Sequence, residues 1–269
     1  MPDLAPRRLI LSIYGLYARE ENNWLSVGSL VELMGHLGVD SAGTRSSISR
    51  LKRRGVLESV KFNGSAGYTL SDDALEVLRA GDLRIFGQRR ASIDDGFVII
   101  VFSVPESQRA KRHQLRSALG AMGFGTVSPG VWIAPAPLRD EVAHTLRRRG
   151  LKDYAHMFHA QHDGFWKLTE LVGQWWDLEA IDAEYQAFTK TYEGTGQRLA
   201  DAGNRPQASF ETYIPMLTQW RRLPYRDPGL PAELLPATWH GYRAHTLFAE
   251  LDALMRDPAH RHAMSIIHR

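Results

Sequence analysis

The chain has 269 residues, with 33 basic against 30 acidic side chains, 43% hydrophobic residues and no cysteine. This is ordinary globular composition; it excludes wholesale disorder, a collagen-like repeat, a disulfide scaffold, a thiolate zinc site and a cysteine nucleophile. Charge is unevenly spread: residues 1–90 carry +3, residues 105–150 carry +5 and residues 151–269 carry −3, which points to a nucleic-acid partner for the front of the molecule.

The opening MPDLAPRRLILSIYGLYARE has two arginines before a short apolar run, but no small-residue cleavage site follows. No window approaches the ~20 apolar residues that span a bilayer. A soluble, cytoplasmic protein is expected.

Residues 5–20 read as a helix, with Leu9, Ile10, Ile13, Leu16 and Tyr17 at three-to-four spacing. Ser26 is placed to cap a second helix bearing Leu30, Leu33, Met34 and Leu37, stopped by Gly38. A third runs from about Ser41 to Arg54, SAGTRSSISRLKRRG, in which only Ile48 and Leu51 are expected to face a core. At about 100° per residue, Ser46, Ser49, Arg50 and Arg53 point away from that stripe. Small hydroxyls between arginines let a helix lie close to a duplex, the hydroxyls donating to phosphates and Arg reaching phosphate or the guanine edge.

Two alternating apolar segments around Asn63-Gly64 then predict a β-hairpin, since both turn residues accept positive φ. Three helices and a hairpin form a winged helix-turn-helix. Its net charge between Thr44 and Asn63 is +5, and the DNA-binding candidates are Thr44, Arg45, Ser46, Ser49, Arg50, Arg53, Lys61 and Asn63. A helix capped by Asp72 and weakened by Gly81-Asp82 leads into a polar linker, GQRRASIDD, where a domain boundary is expected.

Residues 96–160 read as βαββαβ, the ferredoxin-like pattern. A metal-dependent nuclease of that fold needs an aspartate at the end of the first strand, where this chain has Ser103. The domain is therefore read as a spacer or dimerisation module. His156, His159 and His162 lie on a strand and loop and are read as structural or surface residues rather than metal ligands; the run Arg147–Arg149 is left open between a solvated helix end and a phosphate contact.

Beyond residue 163 the sequence predicts a helical domain rich in tryptophan: a long helix or helix pair over 167–194, a loop TGQRLADAGNRP, a helix over 208–223 and a proline-punctuated path into a last helix. Its aromatics suit a core. They also suit a pocket for an aromatic or acyl ligand, with Trp220, Arg221, Arg222, Arg226 and Trp239 as effector-binding candidates. The fold class is α+β, in three parts: 1–90 winged helix, 91–162 ferredoxin-like and 163–269 helical, the last for effector binding or dimerisation. No cofactor, catalytic residue or metal site is expected.

The segments RSSISRLKRRGVLES, IIVFSVPESQRAKRHQLRSALGAMGFGTVSPGVWIAP and YRDPGLPAELLPATWHGYRA together resemble the PaaX family, transcriptional repressors of phenylacetic acid degradation in bacteria. The resemblance runs from about Leu9 to Leu254. It implies a homodimer on operator DNA that is released by phenylacetyl-CoA or a related CoA thioester. By position, Ser46, Ser49, Arg50 and Arg53 match the recognition helix, and Lys61 and Asn63 the wing. The alternatives are a ferredoxin-like nuclease, an enzyme acting on acyl-CoA, or a DNA-binding protein without a small-molecule input.

Overall fold

The computed structural model describes residues 4–87 and 90–269; of the expected linker, Gln88 and Arg89 lie outside the described residues. In chain order the elements are α1 (Pro6–Leu16), β1 (Trp24–Ser26), α2 (Val27–His36), α3 (Ser41–Arg53), β2 (Leu57–Phe62), β3 (Ser65–Leu70) and α4 (Asp72–Phe86). There follow β4 (Phe97–Phe102), α5 (Arg109–Ala121), β5 (Gly125–Ser128), β6 (Val131–Pro135), α6 (Arg139–Arg148) and β7 (Ala155–Ala160). The rest is helical: α7 (Leu168–Trp175), α8 (Leu178–Tyr192), α9 (Thr195–Ala200), α10 (Arg205–Trp220), α11 (Leu223–Arg226) and α12 (Gly241–Ile267). The mixed α+β class is as the sequence predicts. No described helix is long and apolar enough to cross a membrane.

The chain divides into two compact units. The first comprises residues 4–87 with Phe188–Arg221 and Arg243–Arg269; the second comprises residues 90–187 with Arg222–Tyr242. The segment 163–269 thus contributes to both.

In the first unit α1, α2 and α3 bury Leu9, Ile10, Ile13, Leu30, Leu33, Met34, Ile48 and Leu51. A three-stranded antiparallel sheet in the order β1–β3–β2 completes the winged helix. The short strand β1, which the sequence reading lacked, hydrogen-bonds β3 with Leu25 opposite Tyr68. The helix α4 is capped by Ser71, whose Oγ accepts from Ala74 N–H, so Asp72 sits inside the first turn and is not the cap. Gly81-Asp82 does not break α4, because Gly81 is buried and Asp82 receives a two-pronged pair from Arg19.

The same unit folds later residues onto these helices. The Ser12 and Thr218 hydroxyls share a buried hydrogen bond of 2.7 Å, Tyr17 packs on Phe210 with ring centroids 6.1 Å apart, and His260 meets Glu20 at 2.8 Å. Part of the expected loop after residue 194 is the helix α9.

In the second unit the strands form an antiparallel sheet ordered β5–β6–β4–β7, the ferredoxin-like arrangement, with the predicted Ser128-Pro129-Gly130 turn joining β5 to β6. One face packs Val98, Ile100 and Trp132 against Leu115 and Leu119 of α5 and Val142 and Leu146 of α6. The other packs Phe97 and Ile133 against Val172 and Trp176, with Leu230 and Leu234. Gly125 is required there, since a Cβ would stand 2.7 Å from the Trp176 ring. The DPGLPAELLP stretch is thereby tied into the core: Asp227, buried, accepts from Tyr185 at 2.9 Å, Arg90 at 3.0 Å and Gly229 N–H at 2.8 Å.

Candidate nucleic-acid interface

The helix-turn-helix is α2, a turn through Gly38 at φ +76°, and α3. Asp40 caps α3 by accepting from Gly43 N–H at 2.6 Å. The inner face of α3 is Thr44, Ser47, Ile48 and Leu51, wider than the two residues expected. Its outer face presents Arg45, Ser46, Ser49, Arg50, Lys52 and Arg53, all exposed. Arg45 rests on the Ser41 hydroxyl at 3.3 Å, whereas Arg50 and Arg53 have no hydrogen-bonded or ion-paired partner among the described residues.

Thr44 requires a correction. It is 0% exposed, and its hydroxyl donates to the Asp40 carbonyl at 2.9 Å. Lying one turn before Ile48 on the same face, it is a core residue and cannot touch DNA.

The wing is the β2–β3 hairpin, closed by Asn63 at φ +49° and Gly64 at φ +80° with Phe62 opposite Ser65. Two consecutive positive φ values give the turn whose twist matches the flanking strands. Lys61 and Asn63 are exposed. The Trp24 indole N–H donates to the Val60 carbonyl at 3.1 Å and its ring lies 5.5 Å from that of Phe62. That contact exists because Gly67 leaves room, a Cβ there being 2.3 Å from the indole. Sequence reasoning missed Trp24 because no periodicity links it to the hairpin. The site is a cationic, hydroxyl-lined helix beside a pinned wing, able to contact phosphates and base edges together.

The effector candidates are not gathered within either unit. Trp220 and Arg221 belong to the first, Arg222, Arg226 and Trp239 to the second. Trp220 is 1% exposed, stacked on Phe248 at 4.4 Å, and donates to the Ile85 carbonyl. Arg221 donates to the Arg8 carbonyl at 3.1 Å and Arg226 pairs with Glu184. Trp239 is buried, with Tyr185 edge-on to it at 5.8 Å, while Arg222 is exposed. Both tryptophans are core side chains. A cavity of about 450 Å³ lies elsewhere in the second unit, lined by Gly173, Trp176, Leu178, Leu234, Leu235 and Pro236, with Thr169, Asp177 and Glu179. Its lining alternates between two distant segments, so no local pattern marks it.

At the end of β4, Ser103 donates its N–H to the Tyr154 carbonyl at 3.1 Å. His159 bonds the Asp95 carbonyl at 2.8 Å, and β-register sets His156 on the opposite face of β7. Among the described residues no three His, Asp or Glu side chains stand close enough to hold a metal ion.

A winged helix followed by a ferredoxin-like module defines the class of the protein. Comparison with known proteins specifies it further. Residues 5–74 match the PaaX-like protein family, residues 90–172 the PaaX protein central Cas2-like domain and residues 176–265 the PaaX-like protein C-terminal domain. The chain belongs to the PaaX family. It is 26% identical over 244 residues to the transcriptional repressor PaaX of Escherichia coli (strain K12), covering 89% of this chain and 77% of that one. An uncharacterised protein from Mycobacterium tuberculosis shares the fold at 23% identity and a TM-score of 0.56, covering 94% of this chain and 97% of that one.

Proposed function

We propose that this protein is a DNA-binding transcriptional repressor of a phenylacetate-type catabolic operon, not an enzyme. The exposed Arg50–Arg53 face of α3 beside the Asn63 wing carries the reading, and the similarity to a transcriptional repressor supports it. In a homodimer, two copies of α3 enter successive major grooves about 34–36 Å apart. Arg50 and Arg53 set base preference, and the remaining cations supply a salt-dependent phosphate term.

The proposed effector is an aryl-CoA thioester such as phenylacetyl-CoA. The cavity, of mixed polar and apolar lining, offers Trp176, Leu234 and Leu235 to an aryl group, while Asp177 and Glu179 at its lining require the CoA phosphates to point away from it. An effector that favours the DNA-free state weakens DNA binding by the factor by which DNA weakens effector binding.

The test is a titration at controlled salt of the duplex upstream of the protein's own gene, with and without phenylacetyl-CoA. Specific binding abolished by the thioester is the expected result. Specific binding indifferent to it removes the effector, and salt-sensitive background alone removes the repressor.

A further inference from the structure

Away from α3, a second cluster of basic side chains sits on the ferredoxin-like module. The β4–β7 register sets Phe102, at the end of β4, opposite Ala155, at the start of β7. The chain enters α5 from that end of the sheet and leaves α6 towards it, so the start of α5 and the end of α6 share one edge of the module. Tyr154 fastens that edge, its carbonyl accepting from Ser103 N–H and its hydroxyl donating to Gln108 Oε1.

Arg109, Lys111, Arg147, Arg148, Arg149 and Lys152 collect there. Lys111 is half-buried and the other five are exposed. None of the six has an ion pair or side-chain hydrogen bond among the described residues. Nearby Glu106 is taken by Arg112 at 2.9 Å, and Arg112 also donates to the Val104 carbonyl. Asp153, exposed beside Lys152, sets one acidic side chain against these six basic ones; the like charges repel one another, so such a surface favours a polyanion.

The kind of polyanion follows from what the patch lacks. No large apolar side chain of α5 or α6 is exposed among the described residues. A protein interface draws on buried aromatic or aliphatic anchors, and a helix lying on a membrane inserts an apolar face; neither is present. Exposed Ala110, Gln114 and Ser117 between the cations instead allow close approach of a phosphate backbone. We infer that the Arg147–Arg149 edge of the ferredoxin-like module is a second, sequence-independent contact surface for the phosphates of double-stranded DNA. The inference rests on the reading of the chain as a DNA-binding repressor.

The experiment uses the full chain carrying Arg147→Gln, Arg148→Gln and Arg149→Gln together, all at exposed positions. Binding is measured against salt on the duplex upstream of the protein's own gene and on a scrambled duplex of equal composition. The slope of log affinity against log salt is expected to fall by about 2–3 for each protomer on the duplex, near 0.9 for each lost phosphate contact. Affinity should drop by one factor on both duplexes, leaving their ratio unchanged. The corresponding triple lysine variant, which keeps the charges, should retain the wild-type slope.

An unchanged slope and affinity in the glutamine variant, with normal wild-type binding, overturns this surface while the repressor reading stands. A lysine variant that loses the slope as well overturns it equally. Absence of wild-type binding to either duplex removes the repressor reading itself.

Discussion

The Tyr185 hydroxyl donates to Oδ2 of Asp227 at 2.9 Å, in the interior of the second unit. The same oxygen receives Arg90, and Oδ1 receives Gly229 N–H. Asp227→Ala leaves three donors without their acceptor, one of them a largely buried guanidinium. A loss of about 3 kcal/mol in urea denaturation is expected, as for removal of one partner of a buried pair. A loss below about 1 kcal/mol would show that water replaces the carboxylate.

Gly67 is the seat of Trp24. A methyl group there meets the indole at 2.3 Å and the Leu25 carbonyl at 2.5 Å. Gly67→Ala is therefore expected to destabilise the winged helix by about 1–3 kcal/mol through overpacking. Thermal melting measures it, and a wild-type melting temperature would refute the close approach.

The two faces of α3 separate in their mutants. Arg50→Ala or Arg53→Ala should weaken specific DNA binding by about 1–3 kcal/mol where the guanidinium grips a guanine edge. Thr44→Ala should leave base preference intact and lower stability by about 1 kcal/mol, through loss of its hydrogen bond to Asp40. A Thr44→Ala protein with wild-type stability and altered preference would reverse the assignment of the faces.

His262 faces His36, its ring centroid 4.8 Å away, with Glu211, Glu32 and Arg269 around it. Burial, and then the His36 ring, holds its pKa below the ordinary 6.5, and its Nε2 is buried without a hydrogen bond among the described residues. Near and below pH 6.5 the unfolded chain binds a proton at this position that the folded chain resists. Stability from His262 is thus complete above that pH and declines as pH falls through it towards the folded value. Melting curves of the wild type and His262→Gln should converge or cross on acidification; parallel curves would remove His262 from the acid response.

Gly173 lines the 450 Å³ cavity, and a Cβ placed on it meets nothing within 4 Å. Gly173→Leu should obstruct part of the cavity and, inside α7, gain about 0.5–1 kcal/mol of helix stability. DNA affinity should be unchanged and its release by phenylacetyl-CoA blunted. Undiminished release would move the effector elsewhere.

Local signals in the sequence carried much of this molecule. Asn63-Gly64 marks the wing because asparagine and glycine are the residue types that most readily accept two consecutive positive φ values. The continuous β-branched and aromatic run over Phe97–Phe102 and the turn at Gly130 likewise reveal the ferredoxin-like module. What periodicity cannot show is which distant segment covers a face. Trp220 and Trp239 therefore read equally well as pocket or core, and the burial that decides for core comes from Phe188, Phe248 and Tyr185. Thr44 misled for another reason: its hydroxyl resembles those of Ser46 and Ser49, but its place one turn before Ile48 sets it on the inner face, where it bonds the Asp40 carbonyl. The cavity beside Trp176 was illegible because its walls are some sixty residues apart in the chain.

The hydroxyl pair of Ser12 and Thr218 and the packing of Tyr17 on Phe210 bear on how such a regulator can be re-engineered. The helices that present α3 share their interior with side chains contributed two hundred positions later. A chimera cut at residue 87, grafting the reading head onto a foreign sensor, would expose Tyr17 and leave the Ser12 hydroxyl only its bond to the Arg8 carbonyl. Transplants of specificity in this scaffold are better made by exchanging the outer face of α3 alone, leaving its framework in place.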